Sequence, residues 1–307
     1  MKDYILVISG SDIDYFYDVE AFLNEGEAGI ALPVAKKVGG CVLNVGQVLS
    51  GYQENIKVLD YLKEDDIDTD LLLKSMKDGN LDINHILFGK DIENGKCLIM
   101  KKDGEKCIYI IPSKHPEYDI DDNNIKDLLF NSKLIYTLPH TYIESFGFNY
   151  ELLKELKEKG IKISFDGESQ YQNNDDLNIL KYANYIFMNK AAYHRLESLI
   201  NINPSKYLLN EGVEILCVTD GNKGITCYTR DKIYYKDAIK LNKILDSTGA
   251  GDTFAATFIH YYLKDNDIEK SLEIATYASA RACLYEGGLG GVVSEEELND
   301  FIKLHKY

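Results

Sequence analysis

The chain is poor in basic residues relative to acidic ones. Its 307 residues include 34 Lys and Arg against 50 Asp and Glu, which gives a formal net charge of −16 at pH 7. A nucleic-acid backbone is bound by clustered Lys and Arg, whose charges displace its counterions. The composition therefore argues against nucleic acid as a partner of this chain.

Long apolar runs are also lacking. No run approaches the ~20 residues that cross a bilayer. The first apolar run, Tyr4–Ile8, is too short for the core of a secretory signal and fits a buried first strand. We expect no membrane segment, no leader and a cytoplasmic location.

Cysteines occur without the spacing of a metal site or a disulfide framework. The six are Cys41, Cys97, Cys107, Cys217, Cys227 and Cys283. None forms a C-x-x-C pair, so neither zinc nor a disulfide is indicated. A two-residue turn at Asp103-Gly104 would pair Cys97 with Ile110, and so would not place it opposite Cys107. We expect reduced thiols.

From Leu134 onward the chain shows a regular alternation of apolar strands and helical segments. Apolar strands are expected at Leu134–Leu138, Ile161–Phe165, Tyr185–Met188 and Ile215–Val218. Helical patterns are expected near Tyr150–Lys159, Leu177–Ala183, Ala191–Leu199 and Pro204–Leu209, and later at Thr253–Leu263 and Ile268–Leu284. This alternation predicts a parallel sheet with right-handed crossovers.

The remaining segments complete a single α/β domain over residues 1–307. Asn44 to about Leu62 is expected to be helical, and a capping box at Ser294–Glu297 opens the last helix. Cys97–Lys102 and Lys106–Ile111 form the clearest hairpin. The chain shows no internal repeat, low-complexity tract or linker, so we expect one α/β domain with a small β insertion.

A run of small residues, Gly249-Ala250-Gly251, precedes a helix-compatible segment. N–H groups at a helix N-terminus attract an anion. Asp252 puts a negative charge into this anion site, which is unfavourable unless the carboxylate has a task. Removing a proton from a hydroxyl that attacks a bound phosphoryl group is such a task, and it predicts a kinase of a small alcohol. The alternative for so short a motif is a structural turn with Asp252 as a first-turn acid.

The longer string Asp246-Ser247-Thr248-Gly249-Ala250-Gly251-Asp252-Thr253-Phe254 closely resembles the D-[TS]-T-G-A-G-D-x-F signature of the ribokinase (PfkB) family of carbohydrate kinases. The resemblance implies that Asp252 is the catalytic base and that the amides of Gly249, Ala250 and Gly251 form the anion hole. It implies a Rossmann-like parallel-sheet core flanked by helices. A β-sheet lid from segments around 10–35 and 95–112 would cover the sugar. ATP and Mg²⁺ are the implied cofactors.

Two early motifs match the family's substrate side. Gly39-Gly40 followed by Asn44 matches G-G-x-x-x-N, in which the glycines approach the ligand and Asn44 contacts sugar hydroxyls. Asp14 follows the first strand, at the position where the family has an Asp that accepts hydrogen bonds from vicinal hydroxyls of the sugar. The alternatives are a turn with an Asn N-cap and a solvated loop carboxylate. Cys41 replaces the Lys of ribokinases, which argues against ribose itself.

Three later segments match the family's nucleotide side. Thr219, Gly221 and Gly224 resemble its V-T-x-G-x-x-G turn, although alone they indicate only a hairpin turn between Ile215–Val218 and Ile225–Tyr228. Asn189 keeps the first position of N-x-x-E, whose Glu is Ala192 here, so the Mg²⁺ ligands stay unassigned. Ser279 falls in the helix that flanks adenine, where plain helix packing is the alternative.

Asp246 opens the late signature. In the resembled family it contributes to a monovalent-cation site, such as one for K⁺. A capping carboxylate is the equal alternative.

These expectations combine into an ATP- and Mg²⁺-dependent kinase of a neutral sugar or nucleoside. One rival is a sugar-phosphate kinase, which requires two or three Lys or Arg in the sugar pocket. The other is a catalytically weak sugar- or nucleotide-binding protein, favoured only by Ala192. The apolar hairpin Cys97–Ile111 carries more apolar surface than two strands cover, so it is expected to pack over the sugar pocket or to pair with the same element of a second copy. In the resembled family both occur together, which implies a homodimer built through the lids.

Overall fold

The computed structural model describes residues 2–103, 105–167 and 178–306. The strands are β1 (Tyr4–Ile8), β2 (Asp12–Val19), β3 (Ala31–Gly39), β4 (Asn55–Lys63), β5 (Asp82–Gly89), β6 (Gly95–Lys102), β7 (Glu105–Ile111), β8 (Leu134–Thr137), β9 (Lys162–Asp166), β10 (Tyr185–Asn189), β11 (Ile215–Thr219), β12 (Ile225–Thr229) and β13 (Ile233–Lys236). The helices are α1 (Cys41–Gly51), α2 (Ile67–Asp78), α3 (Asn123–Phe130), α4 (Pro139–Phe146), α5 (Tyr150–Glu158), α6 (Lys190–Ile200), α7 (Pro204–Asn210), α8 (Ala250–Asp265), α9 (Ile268–Ala282) and α10 (Glu295–His305).

A nine-stranded sheet runs through the main body in the order β13-β12-β11-β10-β9-β8-β1-β4-β5. The strands from β11 to β5 are mutually parallel, and β12 and β13 add an antiparallel edge. All five residues of β1 are buried, as expected for a central parallel strand covered on both faces. The predicted α/β architecture is confirmed.

Helices cover both faces of this sheet. One buried cluster joins the sheet to α1, α2, α8, α9 and α10, and a second joins it to α3–α7. Phe254 and Phe258 of α8 are fully buried in the first cluster. Burying one such side chain stabilises a fold by ~1.5–3 kcal/mol, so α8 is firmly fixed beneath the site described below.

A second, smaller sheet has the order β3-β2-β6-β7 and is called the lid below. Its strand β3 continues to Gly39, beyond the predicted segment around 10–35. Its β6–β7 register pairs Cys97 with Ile110 and Met100 with Cys107, which confirms the expected hairpin. Gly104 of the predicted turn lies outside the described residues. The lid is joined to α2 through Asp68, which accepts a hydrogen bond from the Tyr15 hydroxyl at 2.5 Å and pairs with Lys36.

The expected helix over Asn44 to about Leu62 is wrong in its second half. Helix α1 ends at Gly51, the chain turns at Gln53 with φ 64°, and Asn55–Lys63 is strand β4. Gly51 packs closely on the segment just before α10, because a Cβ there would lie 2.6 Å from the Val293 carbonyl oxygen. A helix, a turn and a strand therefore follow one another where the sequence suggested one helix.

The C-terminal helices agree with expectation. Helix α10 begins with the complete capping box between Ser294 and Glu297. The helical pattern near Leu177–Ala183 is seen at 178–180, and Leu177 itself lies outside the described residues.

Among the described residues, no helix is long and apolar enough to cross a membrane.

Candidate active site

A cavity of about 540 Å³ opens between the lid and the carboxyl ends of the parallel strands. Ligands bind at this edge of open α/β sheets. Eight predicted site residues line the cavity: Asp14, Gly40, Asn44, Asn189, Thr219, Gly249, Gly251 and Asp252. Six others are not among its described lining: Gly39, Ala250, Gly221, Gly224, Ser279 and Asp246.

Helix α8 begins at the floor of this cavity. Gly249 precedes it with φ 74°, a left-handed conformation that favours glycine, and a Cβ there would lie 2.2 Å from the Gly288 carbonyl oxygen. The Ala250 N–H donates to the Ser247 carbonyl at 3.3 Å, so this amide is used within the turn. The N–H groups that follow, at Gly251 and Asp252, belong to the first turn of α8, the end of a helix that attracts anions.

Asp252 lies in that first turn and is held from across the cavity. The Nδ2 group of Asn44 donates a hydrogen bond to Asp252 Oδ2 at 2.7 Å. Asn44 belongs to α1 and is buried, with 4% of its surface exposed. Its Oδ1 atom is a buried acceptor with no partner among the described residues. Asn44 therefore orients the carboxylate and offers an acceptor for a donor such as a hydroxyl.

Asp14 lies on β2 at the lid side of the cavity and is 8% exposed. Burial raises the pKa of its carboxyl group, and the Cys97 thiol and the charges of Lys106 and Lys37 oppose this rise. Gly39 faces this carboxylate, since a Cβ there would lie 2.5 Å from Asp14 Oδ2. Gly39 thus makes room for Asp14 rather than for the ligand.

The residues predicted for the nucleotide side lie at the end of β10, in the turn before β12 and on α9. Asn189 Oδ1 accepts from the Ala192 N–H at 2.8 Å and caps α6. Ala192 is fully buried in the core, so its methyl group faces apolar neighbours. Gly224 adopts φ 105° in the turn before β12. Ser279 lies on α9, where its carbonyl accepts from the Cys283 thiol.

Asp246 accepts hydrogen bonds from its own loop and from the segment after α9. It accepts from the Thr248 N–H at 3.0 Å, the Thr248 hydroxyl at 2.7 Å and the Gly287 N–H at 3.0 Å. Burial opposes ionisation, but these bonds outweigh it and lower the pKa of Asp246. Asp246 therefore ties the loop before α8 to Gly287, but it does not cap α8, whose N-cap Gly249 receives no side-chain hydrogen bond. The described residues contain no cluster of three His, Cys, Asp or Glu that would hold a metal by itself.

One wall of the cavity contains residues that no sequence motif indicated. Helix α4 supplies His140, Thr141 and Glu144, and the lid supplies Lys106 among other residues. Helix α4 begins directly after β8, at Pro139. The rule that ligands lie beyond strand ends, which identified Asp14, would also have indicated this segment.

Comparisons with known proteins identify the family of this chain. The model of the pfkB family carbohydrate kinases matches residues 2–293. The chain is 29% identical to a nucleoside kinase of Methanocaldococcus jannaschii over 272 residues, covering 87% of this chain and 85% of that protein. It is 21% identical to a ribokinase of Staphylococcus aureus over 310 residues, covering 97% and 99%.

The fold is shared with solved structures of such enzymes. A ribokinase of Thermotoga maritima superposes with a TM-score of 0.82 at 21% identity, covering 98% of this chain and 99% of that chain. A ribokinase of Arabidopsis thaliana, complexed with ribose and ATP, superposes with a TM-score of 0.82 at 19% identity and 99% coverage of both chains.

Proposed function

We infer that this chain, which belongs to the pfkB family of carbohydrate kinases, transfers a phosphoryl group from ATP to a hydroxyl of a neutral sugar or nucleoside. The observation that carries the residue assignment is the placement of Asp252. It lies in the first turn of α8, lines the cavity and is oriented by Asn44. A carboxylate beside helix N–H groups suits a base that works next to a transferring anion.

In the proposed reaction Asp252 accepts the proton of the attacking hydroxyl. Asp14 and Asn44 Oδ1 accept hydrogen bonds from other hydroxyls of the acceptor and hold it in line. The N–H groups of Gly251 and Asp252 stabilise the negative charge that spreads over the transferring group. The lid excludes water, so that the alcohol and not water is phosphorylated.

The cavity reaches two of the residues proposed for the nucleotide. Asn189 and Thr219 are the last residues of β10 and β11, and both line the same cavity as Asp14. We propose that ATP lies along this edge, with its phosphates directed at the turn before α8. Mg²⁺ keeps several waters and needs only one or two protein groups, so it fits a site without a dedicated carboxylate cluster. When bound, Mg²⁺ would neutralise part of the negative charge of the phosphates.

The charges of the cavity favour a neutral acceptor. Its described lining contains four carboxylates, Asp12, Asp14, Glu144 and Asp252, but Lys106 is its single Lys or Arg. A phosphate on the substrate would be repelled by the carboxylates and would need more than one cation. This opposes the sugar-phosphate alternative.

A substrate panel tests the proposed function. Neutral sugars, nucleosides and sugar phosphates are each supplied with ATP and Mg²⁺, and ADP release is compared with the phosphorylated product by mass spectrometry. We expect transfer to a neutral member and little ADP without an acceptor. Preferred transfer to a sugar phosphate would contradict the neutral assignment.

Replacing Asp14 with Ala should weaken acceptor binding selectively. We expect the KM for the sugar or nucleoside to rise about 10- to 100-fold, since hydrogen bonds to a charged group are worth ~1.5–3 kcal/mol. The KM for ATP should change little. The matched control is Asp18→Ala, an exposed carboxylate on the same strand. Equal losses for acceptor and ATP would contradict this role.

The same carboxylate predicts a pH dependence. Burial raises the pKa of Asp14 above its ordinary 3.8. Protonation removes acceptor capacity, so the acceptor KM should rise as the pH falls toward this raised pKa, and the dependence should be absent from Asp14→Ala. A pH profile of KM that is the same in both proteins would show that another group titrates.

We also propose a homodimer built through the lids. Ile30, Leu32 and Val34, at the outer edge of the lid, are 75%, 61% and 55% exposed, an apolar strip that a second lid would cover. Ile108 lines the cavity, so it is a poor position for testing the interface. Light scattering at micromolar concentration should give twice the chain mass, and Leu32→Lys with Val34→Lys should give the monomer. A dimer unaffected by both substitutions would have its interface elsewhere.

A further inference from the structure

A lid residue reaches the turn that begins α8. Lys106 lies on β7, on the same face as Ile108 and Ile110, and all three line the cavity. The Lys106 ammonium donates to the Thr248 hydroxyl at 3.1 Å. Thr248 directly precedes Gly249, so a cation of the lid lies beside the N–H groups proposed to hold the transferring phosphoryl group.

The charge of Lys106 acts on two carboxylates, Asp14 and Asp246. It is among the groups that oppose the raised pKa of Asp14, and it contributes to the lowered pKa of Asp246. Asp14 belongs to the lid and Asp246 to the loop before α8. The ammonium group of Lys106 therefore lies where the acceptor and the phosphate chain would meet.

Phosphoryl transfer at this place requires positive charge. The transferring group carries negative charge on its three equatorial oxygens, and catalysis depends on stabilising that charge. The first glycine motif provides Cys41 and not a cation at the cavity wall. Among the described lining residues, Lys106 alone of the Lys and Arg can supply this charge.

We propose, resting on the function proposed above, that Lys106 is a catalytic residue that donates a hydrogen bond to the transferring phosphoryl group. The bond from the γ-phosphorus to the bridging oxygen of ATP breaks, a bond to the acceptor oxygen forms, and the acceptor proton passes to Asp252. Lys106 keeps its proton throughout. Closure of the lid brings its ammonium from Thr248 to the phosphoryl oxygens.

This arrangement links catalysis to the lid. Strand β2 of the lid is joined to α2 by the Tyr15–Asp68 hydrogen bond. Lys106 lies on the edge strand β7, and its side chain is exposed. The lid also carries Asp14, the proposed acceptor ligand. Binding of the acceptor would therefore position the cation, and ATP without an acceptor would lack it.

The test compares Lys106→Met and Lys106→Arg with the control Lys101→Met. Lys101 is the direct cross-strand neighbour of Lys106 on β6, but it is not part of the described cavity lining. We expect Lys106→Met to lower kcat about 10- to 100-fold, the worth of one hydrogen bond to a charged group. Both KM values should stay within threefold, Lys106→Arg should recover most of kcat, and Lys101→Met should match wild type.

Binding measurements separate this role from a structural one. Tetrafluoroaluminate bound with ADP and the acceptor mimics the transferring phosphoryl group. Its affinity, measured by calorimetry, should fall in Lys106→Met by a factor similar to the fall in kcat. The affinity for ADP alone should not fall. A kcat within threefold of wild type, or a loss confined to the acceptor KM, would overturn the proposal. A wild-type chain inactive on the whole panel would instead overturn the proposed function and this inference with it.

Discussion

The substitution Asp252→Asn should lower kcat by ~10²–10⁴, the usual worth of a general base. An amide has no basicity to take the proton of the attacking hydroxyl. The substitution preserves the fold, because the carbonyl of the new amide can still accept from Asn44 Nδ2, as Asp252 Oδ2 does at 2.7 Å. ATP affinity should therefore stay close to that of wild type. Steady-state kinetics on the best acceptor, with calorimetry of ATP binding, measures both effects.

The matched control is Asp265→Asn, at the other end of the same helix. Asp265 pairs with Lys270 at the protein surface, and an exposed pair of this kind contributes little to stability. Its kcat should equal that of wild type. If Asp252→Asn phosphorylates its acceptor within threefold of wild type, Asp252 is not the base.

The parts of the fold that local rules determine could be predicted from the sequence. The β6–β7 register follows from a two-residue turn, because a turn of fixed length leaves one possible pairing. The capping box at Ser294 and Glu297 likewise depends on residues three positions apart. The late glycine motif is also local, since Gly249 adopts φ 74° and α8 begins at the next residue.

The boundary between α1 and β4 depends on distant packing. Gly51 ends the helix where it meets the Val293 backbone, 242 positions further along the chain. No short-range pattern contains that contact. The run after Gln53 is buried on a sheet whose neighbours, β1 and β5, come from other parts of the sequence. Tertiary context therefore decided between helix and strand.

The candidate site shows the same division. Asp252 and Asn44 were each identified from a motif, but their hydrogen bond joins residues 208 positions apart. That contact changes the interpretation of Asn44, which positions the base as well as facing the acceptor. Lys106 has no motif of its own, and only the placement of β7 over the turn before α8 brings it to the cavity.

The substitution Gly249→Ala should disable the anion site by moving its backbone. With φ 74°, an alanine there is strained, and its Cβ would lie 2.2 Å from the Gly288 carbonyl oxygen. Neither partner is a flexible side chain, so the turn must shift. Gly288 also packs against Asn44, where a Cβ on Gly288 would lie 2.5 Å from Nδ2. The shift would thus disturb both the N–H donors and the Asn44–Asp252 bond.

We expect kcat to fall by ~10²–10³, the usual loss when a transition-state donor is removed. Gly160→Ala is the matched control, because Gly160 has φ 72° and nothing within 4 Å of the added Cβ. Left-handed strain of ~1–2 kcal/mol is then common to both variants, and only Gly249→Ala adds the collision at the site. Thermal unfolding should show a lowered Tm in both variants. Kinetics at a temperature where both are folded should show a reduced kcat in Gly249→Ala alone. A Gly249→Ala enzyme with the Tm of Gly160→Ala and the kcat of wild type would show that this turn does not hold the transferring group.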